Sequence, residues 1–395
     1  MKIKIIVFIF AVCTFTTAII SCNNRPNRVY FTINPENRQI VFPVYFNDST
    51  TAKLGFDTGC QGVVLDSSFY AMNPCIQLII QDSLFKTGSA WSFSDVTGSL
   101  YTIFQTITIG QVNLSYQYCR VFNFRKYNNT DVDGIIGIPF KDTTHVWELN
   151  FDNNYLEIHQ IDDFEMPSNC FLIPLNEYHE VQFPMHIEFS DGDTMTVNGK
   201  FFVDTGMPQD IVLAHPTKEE LEFFNKRDDA IWISTGSGVY FRYSMKSTFF
   251  ENFIVDSLRI YTLDNPRRIK QDRLIGQNFL KRFNVFFDLK NKQLGLQPVQ
   301  NFQRIVNPNH KRYCFSHKIT SSGQRVVAHI ARYKGNPFYE AGVKEGDEVY
   351  TLNDIPLKSL TLQDALEMEK EGVLRWVFLR DNEKIFVINS IAYDD

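Results

Sequence analysis

Two aspartates, Asp57 and Asp204, each begin an Asp-Thr-Gly tripeptide. When two carboxyl groups share one proton, the ionised group can accept a proton from water while the protonated group donates one to the bond under attack. Like charges a few ångströms apart do not ionise together easily, so the two titrations separate and belong to the pair. The sequence therefore predicts an acid–base pair formed by Asp57 and Asp204.

The residues that follow each aspartate are suited to support such a pair. The hydroxyls of Thr58 and Thr205 can hydrogen-bond across to the opposite tripeptide and hold the two turns together. Gly59 and Gly206 allow a tight turn and the close approach of a backbone N–H to the carboxylate. We therefore expect these four residues to support the dyad.

Both tripeptides belong to a longer internal repeat. Each follows an apolar run, Leu54–Phe56 or Phe201–Val203, and each is followed later by an apolar-apolar-Gly segment that ends at Gly137 or Gly276. A further segment comes next in both copies, in which apolar-Asp is followed by a short stretch and then a leucine, at 151–156 and at 287–294, as expected for a hairpin. One Asp-Thr-Gly occurs by chance in roughly one chain in ten of this length, whereas two in matching contexts predict two related β units in tandem.

Residues 29–300 resemble the aspartic peptidases of the pepsin and retroviral-protease fold, through the two Asp-Thr-Gly turns and the later apolar-apolar-Gly segments. The resemblance implies a mainly β, bilobal fold whose lobes, at 29–165 and 166–305, contribute one aspartate each. It implies that Asp57 and Asp204 are the catalytic residues of an aspartic endopeptidase, with polypeptide substrates in the cleft between the lobes. No cofactor is implied.

The residues after the two glycines depart from the family pattern, in which a small residue such as alanine or serine usually follows. Cys60 follows the first turn and Met207 follows the second. A cysteine beside a carboxylate is a conceivable nucleophile, but no partner histidine is indicated, and we expect a small buried residue behind the turn. The larger Met207 is expected to reshape the second turn or the pocket beside it.

A third region is predicted at 310–395. Its segments Asn336–Val343, Gly346–Val349 and Leu352–Asp354 resemble the Ala-Gly, Gly-Asp and apolar-Asn pattern of bacterial PDZ domains, which are small α/β modules. The resemblance implies that an extended peptide or a C-terminal tail binds along a sheet edge. The usual carboxylate-binding loop is not evident near Cys314, so a degenerate module that only packs on the peptidase is the alternative.

Residues 1–21 have the pattern of a targeting segment, with a short basic start, the uncharged apolar stretch Ile5–Ile20 and a small residue before Cys22. The pattern resembles the lipobox of bacterial lipoproteins and implies cleavage before Cys22, lipidation of its thiol and a tether at 22–28. The expected location is the envelope of a bacterium, where acyl chains hold the protein on a membrane surface. A plain secretory signal or an uncleaved anchor helix is the alternative.

Composition and charge narrow the possible partners. The chain is 44% hydrophobic and 14% aromatic, which is enough apolar material for a folded protein. A net charge of −6 provides no basic surface for binding nucleic acid.

No Cys-x-x-Cys or His-x-x-x-His spacing occurs, so no metal site is expected. Without Cys13 and Cys22 an odd number of cysteines remains, so at least one thiol is free or pairs between chains.

Two classes of function remain open from the sequence. The first is an endopeptidase that acts outside the cytoplasm, with the PDZ module delivering or sensing peptides. The second is a catalytically weak, peptide-binding scaffold lipoprotein. Two intact aspartates favour the first class. A sugar hydrolase that uses paired carboxylates is the weakest alternative, because the Thr-Gly partners and the repeat have no role in it.

Overall fold

The computed structural model has a mainly β architecture, with several sheets, one of them a curled half-barrel, and few helices. The mainly β class predicted from the sequence is therefore confirmed. The predicted signal peptide at 1–21 and the predicted lipidation residue Cys22 lie outside the described residues. The structure describes residues 28–34, 38–46, 50–60, 62–86, 97–103, 106–128, 130–139, 142–189, 191–227, 231–235, 238–250, 253–263, 271–300, 302, 312–313, 315–330, 336–360, 368 and 373–390.

Alternating apolar side chains produce the strands of the first half of the chain. Along Ile40–Phe46 every second side chain is buried, which is the period of two that one buried face of a sheet requires. The elements of this half are β1 (Arg28–Tyr30), β2 (Thr32–Ile33), β3 (Ile40–Phe46), β4 (Thr50–Phe56), β5 (Val63–Asp66), α1 (Ser67–Met72), β6 (Leu78–Lys86), β7 (Thr97–Ile103), β8 (Ile107–Ile109), β9 (Val112–Leu114), β10 (Tyr118–Phe122), α2 (Phe124–Asn128), β11 (Gly134–Ile136), β12 (His145–Asn150), β13 (Tyr155–Gln160) and a 3-10 turn at Ile161–Asp163.

The second half repeats this strand-rich pattern with one longer helix. That helix begins at Thr217, whose hydroxyl accepts from the Glu220 amide while the Glu220 carboxylate accepts from the Thr217 amide. The elements are β14 (Phe171–Pro174), β15 (Glu180–Gln182), β16 (Met185–Phe189), β17 (Thr194–Val197), β18 (Lys200–Val203), β19 (Ile211–Leu213), α3 (Lys218–Asn225), β20 (Ile231–Thr235), β21 (Gly238–Phe250), β22 (Phe253–Asp256), β23 (Arg259–Leu263), β24 (Arg273–Ile275), α4 (Gln277–Leu280), β25 (Phe283–Asp288) and β26 (Gln293–Pro298).

The C-terminal region forms a smaller sheet with an aromatic core. Phe315 lies edge-on to Trp376 and to Phe378, and the Arg380 guanidinium donates to the buried Asp347 carboxylate at 2.7 Å. The elements are β27 (Arg312–Tyr313), β28 (Phe315–Ile319), β29 (Arg325–Ile330), α5 (Pro337–Glu340), β30 (Glu348–Leu352), β31 (Ile355–Pro356), a 3-10 turn at Leu357–Ser359, β32 (Val373–Arg380) and β33 (Glu383–Ser390).

The described strands assemble into four sheets. Sheet A has the order β6-β7-β10-β5-β11-β4-β3-β8-β9, with β2 on β3. Sheet B has the order β15-β18-β24-β19-β23-β21-β16-β17, with β20 and β22 on β21 and with β27 on β20. Sheet C has the order β1-β13-β12-β25-β26-β14, and sheet D has the order β28-β29-β30-β32-β33 with β31 on β30.

The same four-strand arrangement occurs in sheets A and B. In sheet A, β11 is parallel to β4 and antiparallel to β5, and β5 is parallel to β10. In sheet B, β24 is parallel to β18 and antiparallel to β19, and β19 is parallel to β23. The internal repeat of the sequence corresponds to this recurring arrangement, which positions one Asp-Thr-Gly segment in each sheet.

Sheet C joins the two halves of the chain. The hairpin β12–β13 comes from the first half and β25–β26 from the second, and β12 pairs antiparallel with β25. The ring of Phe56, at the end of β4, stacks on Trp147 of β12 with 6.0 Å between ring centroids. The strand that leads to the first Asp-Thr-Gly segment is thereby packed on a sheet that both halves share.

In the part of the chain that the structure describes, no helix combines the length and the apolar character needed to cross a membrane. The longest of them, α3, spans eight residues at Lys218–Asn225. The helices serve as short connections at strand ends, and the sheets determine where the candidate site lies.

Candidate active site

Asp57 and Asp204 occupy equivalent positions, each directly after a buried strand. Asp57 follows β4, and its backbone N–H donates to the carbonyl of Ile136 on the parallel neighbour β11 at 3.0 Å. Asp204 follows β18, and its N–H donates to the carbonyl of Ile275 on the parallel neighbour β24 at 2.9 Å. The two chains therefore leave their sheets in the same way and carry the aspartates to a common point.

The two carboxyl groups converge, because each lies close to the glycine of the opposite turn. Each is also held by its own turn, because the Gly59 N–H donates to Asp57 Oδ1 at 2.8 Å and the Gly206 N–H donates to Asp204 Oδ1 at 2.8 Å. The aspartates are half-buried and both glycines are exposed, so the pair is accessible to solvent from one side. The structure thus brings together the two acids that the sequence predicted as a pair.

The close approach of the two turns explains why glycine follows each threonine. A Cβ atom on Gly206 would lie 2.6 Å from Asp57 Cγ, and one on Gly59 would lie 3.3 Å from Asp204 Cγ. Each glycine therefore faces the carboxyl group of the opposite turn. A side chain at 206 would collide with the Asp57 carboxyl, and one at 59 would lie 2.9 Å from Asp57 Oδ1 and crowd Asp204, so the requirement for glycine here is one of space.

Thr58 and Thr205 lock the turns together through four buried hydrogen bonds. Each backbone N–H donates to the hydroxyl of the other threonine at 3.0 Å. The Thr58 hydroxyl donates to the Val203 carbonyl at 2.7 Å, and the Thr205 hydroxyl donates to the Phe56 carbonyl at 3.2 Å. The structure thus places Thr58 and Thr205 in contact with each other, and the lock spans both halves of the chain.

Thr58→Val is expected to lower the free energy of unfolding by about 2–3 kcal/mol, because it leaves the Thr205 N–H and the Val203 carbonyl buried without partners. Thr58→Ser retains the hydroxyl and is the matched control, with an expected loss of about 1 kcal/mol for the deleted methyl group. Urea unfolding of the three proteins measures both values. Equal losses for Val and Ser would contradict the hydrogen-bonded lock.

Withdrawal from bulk water raises the pKa of both carboxyls. Desolvation is the main cause for Asp57 and for Asp204, and the negative charge of Asp57 raises the pKa of Asp204 further, to well above its ordinary range. The Gly59 and Gly206 amides act in the opposite direction, since they favour the ionised forms. A pair in this environment retains one proton at pH values at which isolated aspartates would both be ionised.

The apolar-apolar-Gly segments lie directly beneath the two turns. A Cβ on Gly137 would overlap the Cys60 carbonyl oxygen, and one on Gly276 would overlap the Gln209 carbonyl oxygen. Backbone atoms fill the space in both cases, joined at Gly276 by the Met207 Cε atom at 2.6 Å, so these glycines allow each turn to rest on its support segment. This contact explains why the two glycines recur at matching places in the repeat.

Cys60 and Met207 occupy equivalent places behind their turns. The Cys60 N–H donates to the Asp57 carbonyl at 2.9 Å, and the Met207 N–H donates to the Asp204 carbonyl at 3.3 Å, so the second turn keeps the hydrogen-bond pattern of the first. Burial raises the pKa of the Cys60 thiol to about 12, which keeps it protonated and not nucleophilic. Met207 is buried in an apolar cluster made of Phe202, Val212, Ala214, Tyr261 and Leu274.

His179 is a member of this site that the sequence did not reveal. Its Nδ1 lies 3.0 Å from the Thr58 carbonyl oxygen. A carbonyl only accepts, so Nδ1 carries the proton and donates. The side chain is buried, and burial lowers the pKa of the imidazole. His179 precedes a short strand far from Thr58 in sequence, and no local pattern signals the contact.

One group of potential metal ligands occurs among the described residues, on sheet C. It comprises Glu148, Glu157 and His159, whose ligand atoms lie within 4.8 Å of one another. These side chains have protein partners: the Arg28 guanidinium donates to Glu157 at 2.7 Å, and His159 Nε2 lies 2.8 Å from a Glu148 carboxylate oxygen. The hydrogen bonds account for the group as a polar network that joins the first strand of sheet C to its neighbours.

Comparisons with known proteins give no family for this chain: no family model matches it, and no curated protein matches it. What defines the site is its own geometry. Two carboxyls converge where two strand arrangements of the same design meet, and the hydrogen bonds between Thr58 and Thr205 hold the two turns together.

Proposed function

We propose that the protein is an aspartic endopeptidase that hydrolyses peptide bonds with a water molecule activated between Asp57 and Asp204. The observation that carries the proposal is the convergence of the two carboxyls: each is held by a glycine N–H of its own turn and lies against the glycine of the opposite turn. Paired carboxyls with raised pKa values retain one shared proton, and a group that both accepts and donates protons is what hydrolysis by water requires.

The reaction follows from the state of the pair. The ionised carboxylate accepts a proton from the water as its oxygen attacks the carbonyl carbon of the substrate, and the protonated carboxyl donates to the carbonyl oxygen. A tetrahedral intermediate with two hydroxyl groups results, and the dyad again carries one proton. Collapse of the intermediate breaks the C–N bond as a proton passes to the leaving nitrogen, which releases an amine and a carboxylic acid.

The proposed architecture is a bilobal, pepsin- or retropepsin-like fold, with lobes at 29–165 and 166–305. The recurring four-strand arrangement in sheets A and B supports this architecture. Sheet C supports it as well, because it contains one hairpin from each half of the chain. The dyad then lies where the lobes meet, and a polypeptide substrate binds across that junction. The exposed Gly59 and Gly206 mark the side from which the substrate approaches.

We further propose that residues 310–395 form a PDZ domain that binds an extended peptide or a C-terminal tail. Sheet D has an apolar core of its own around Phe338 and Phe378, which supports a separate module. Strand β28 lies at an edge of sheet D, and among the described strands β29 is its hydrogen-bonded neighbour. A peptide added as a strand on the other side of β28 would gain main-chain hydrogen bonds.

The proposed location is the envelope of a bacterium, with Cys22 lipidated and residues 22–28 as a tether to a membrane. The support is the sequence of residues 1–21, whose basic start, apolar stretch and final small residue fit a lipoprotein signal. Metabolic labelling with a clickable fatty acid tests the anchor. Label is expected on the parent chain and should be lost in Cys22→Ala.

The hydrolytic function is tested by incubation of residues 23–395 with a diverse peptide library, followed by mass spectrometry of the products between about pH 3 and pH 8. Internal cleavage is expected, together with inhibition by a peptide that carries a hydroxyl-bearing isostere of the tetrahedral intermediate. Failure to cleave any peptide across this range would instead favour the peptide-binding scaffold. In that case the library members retained by the protein would identify its ligands.

A further inference from the structure

His179 makes contact with both Asp-Thr-Gly turns through different parts of the same residue. Its imidazole Nδ1 donates to the Thr58 carbonyl at 3.0 Å, in the first turn. Its backbone carbonyl accepts from the Val203 N–H at 2.9 Å, immediately before Asp204. The residue therefore links the strand that delivers the second aspartate to the turn that holds the first.

The imidazole is fixed in position and shielded from water. Only 3% of the residue is exposed, and its ring lies 6.2 Å from the ring of Phe287 on β25, between centroids. The backbone of His179 has φ of 60°, in the left-handed region, where histidine and asparagine occur more often than most residues. A side chain held in this way can orient the group to which it donates.

That group is the peptide between Thr58 and Gly59. Its carbonyl accepts from His179, and its N–H, on Gly59, donates to Asp57 Oδ1 at 2.8 Å. A hydrogen bond to an amide oxygen polarises the amide and strengthens its N–H as a donor, because linked hydrogen bonds reinforce one another. The imidazole is thus connected to the Asp57 carboxylate through one peptide unit.

We propose that His179 is a positioning residue that holds and polarises the Thr58–Gly59 peptide, so that Asp57 is the ionised member of the dyad and Asp204 carries the shared proton. This inference rests on the proposed hydrolytic function, in which Asp57 then takes the proton from water and Asp204 donates to the substrate carbonyl. His179 does not touch the substrate, and its effect passes through the peptide that supports Asp57.

Two substitutions separate the hydrogen bond from the packing of the ring. His179→Phe keeps an aromatic ring but removes the donor. His179→Asn removes the ring but keeps an N–H close to the position of Nδ1, and asparagine tolerates the left-handed backbone. In the full chain, purified in detergent, we expect His179→Phe to lower kcat about tenfold with KM almost unchanged, which is a loss of transition-state stabilisation. We expect His179→Asn to retain most of kcat although it melts at a lower temperature.

A second measurement does not depend on turnover. In protein labelled with carbon-13 at aspartate Cγ, the lower of the two apparent dyad pKa values is expected to rise in His179→Phe and to stay unchanged in His179→Asn. If the parent chain cleaves no peptide, the hydrolytic function fails while this titration still decides the role of His179. An unchanged titration and an unchanged kcat in His179→Phe would overturn the inference.

The parent protein provides a further check that requires no variant to fold. Nitrogen-15 labelling of histidine reports which ring nitrogen carries the proton in the neutral imidazole. The inference requires the Nδ1–H form of His179, because Nδ1 is the atom that faces the Thr58 carbonyl. Observation of the Nε2–H form at neutral pH would contradict it directly.

Discussion

Asp204→Asn is expected to lower kcat/KM for peptide hydrolysis by on the order of 10³-fold or more, because an amide cannot hold and pass on the proton that the dyad shares. Asp57→Asn should have a comparable effect, since the proposed reaction requires both carboxyls to share one proton. The double variant is then expected to be little worse than either single variant, because losses within a catalytic unit do not add. Steady-state kinetics on one cleaved peptide measures all three.

Asp163→Asn is the matched control for these variants. Asp163 is exposed, lies in the 3-10 turn at Ile161–Asp163 and has no contact with the dyad that the structure describes. Its replacement removes one carboxylate of the same chemistry and should leave kcat/KM within about twofold of the parent. Undiminished cleavage by both Asp57→Asn and Asp204→Asn would refute the dyad as the source of activity.

Asp204→Asn should also stabilise the folded protein at neutral pH. The folded pKa of Asp204 lies above its ordinary value of 3.8. At pH values between the unfolded and the folded pKa, the two carboxyls therefore bind more protons in the folded protein than in the unfolded chain. The stability that these groups contribute is therefore present below about pH 4 and is lost as the pH rises through the folded pKa values. Asp204→Asn removes this loss, so the gain in Tm should be largest near neutrality and shrink in acid. A lower Tm at pH 7 would contradict this account.

Arg273→Met is expected to lower the free energy of unfolding by about 3–5 kcal/mol, because it leaves the buried Glu220 carboxylate without a positively charged partner. Arg273 Nη2 donates to both carboxylate oxygens of Glu220, at 2.8 and 3.1 Å, and both residues are buried. The pair joins the first residue of β24 to the first turn of α3. Loss of this ion pair should weaken the packing of β24, which leads directly to Gly276 beneath the second turn.

The control is a solvent-exposed ion pair on the same helix. Lys218 and Glu222 lie 3.8 Å apart with largely exposed side chains, so Lys218→Met should cost less than about 1 kcal/mol. A double variant with Arg273→Met and Glu220→Gln should lose less than the sum of the single losses, because no charge is left buried. Denaturant unfolding at neutral pH measures each value. Equal losses for Arg273→Met and Lys218→Met would show that burial of the pair has no consequence for stability.

The dyad and its supports could be predicted from the sequence because their signals are local. Asp57, Thr58 and Gly59 are adjacent in the chain, and the second copy supplies an internal comparison that chance does not explain. The mainly β class followed in the same way, from alternation within single strands. The effect of Met207 was less evident: the second turn keeps the hydrogen bond that the first turn makes at Cys60, and the larger side chain is buried in an apolar cluster assembled from distant strands.

Contacts between distant parts of the chain were beyond such signals. His179 and Thr58 are 121 positions apart in the sequence, and no pattern near either residue predicts their hydrogen bond. The pairing of β12 with β25 likewise joins two hairpins from different halves of the chain, and neither hairpin has a sequence pattern that predicts its partner. These are properties of the assembled fold, and the inference about proton placement in the dyad became possible only from them.

The pairing of β27 with β20 has a consequence for where the chain can be divided. Arg312 and Tyr313 lie past the boundary predicted at 310, yet they are hydrogen-bonded to Ile233 and Trp232 of sheet B. A shortened protein that stops at 309 would leave β20 with an open edge, and open strand edges promote aggregation. A cut after 313 keeps that edge covered, so the chain is better divided one strand later than the predicted boundary at 310.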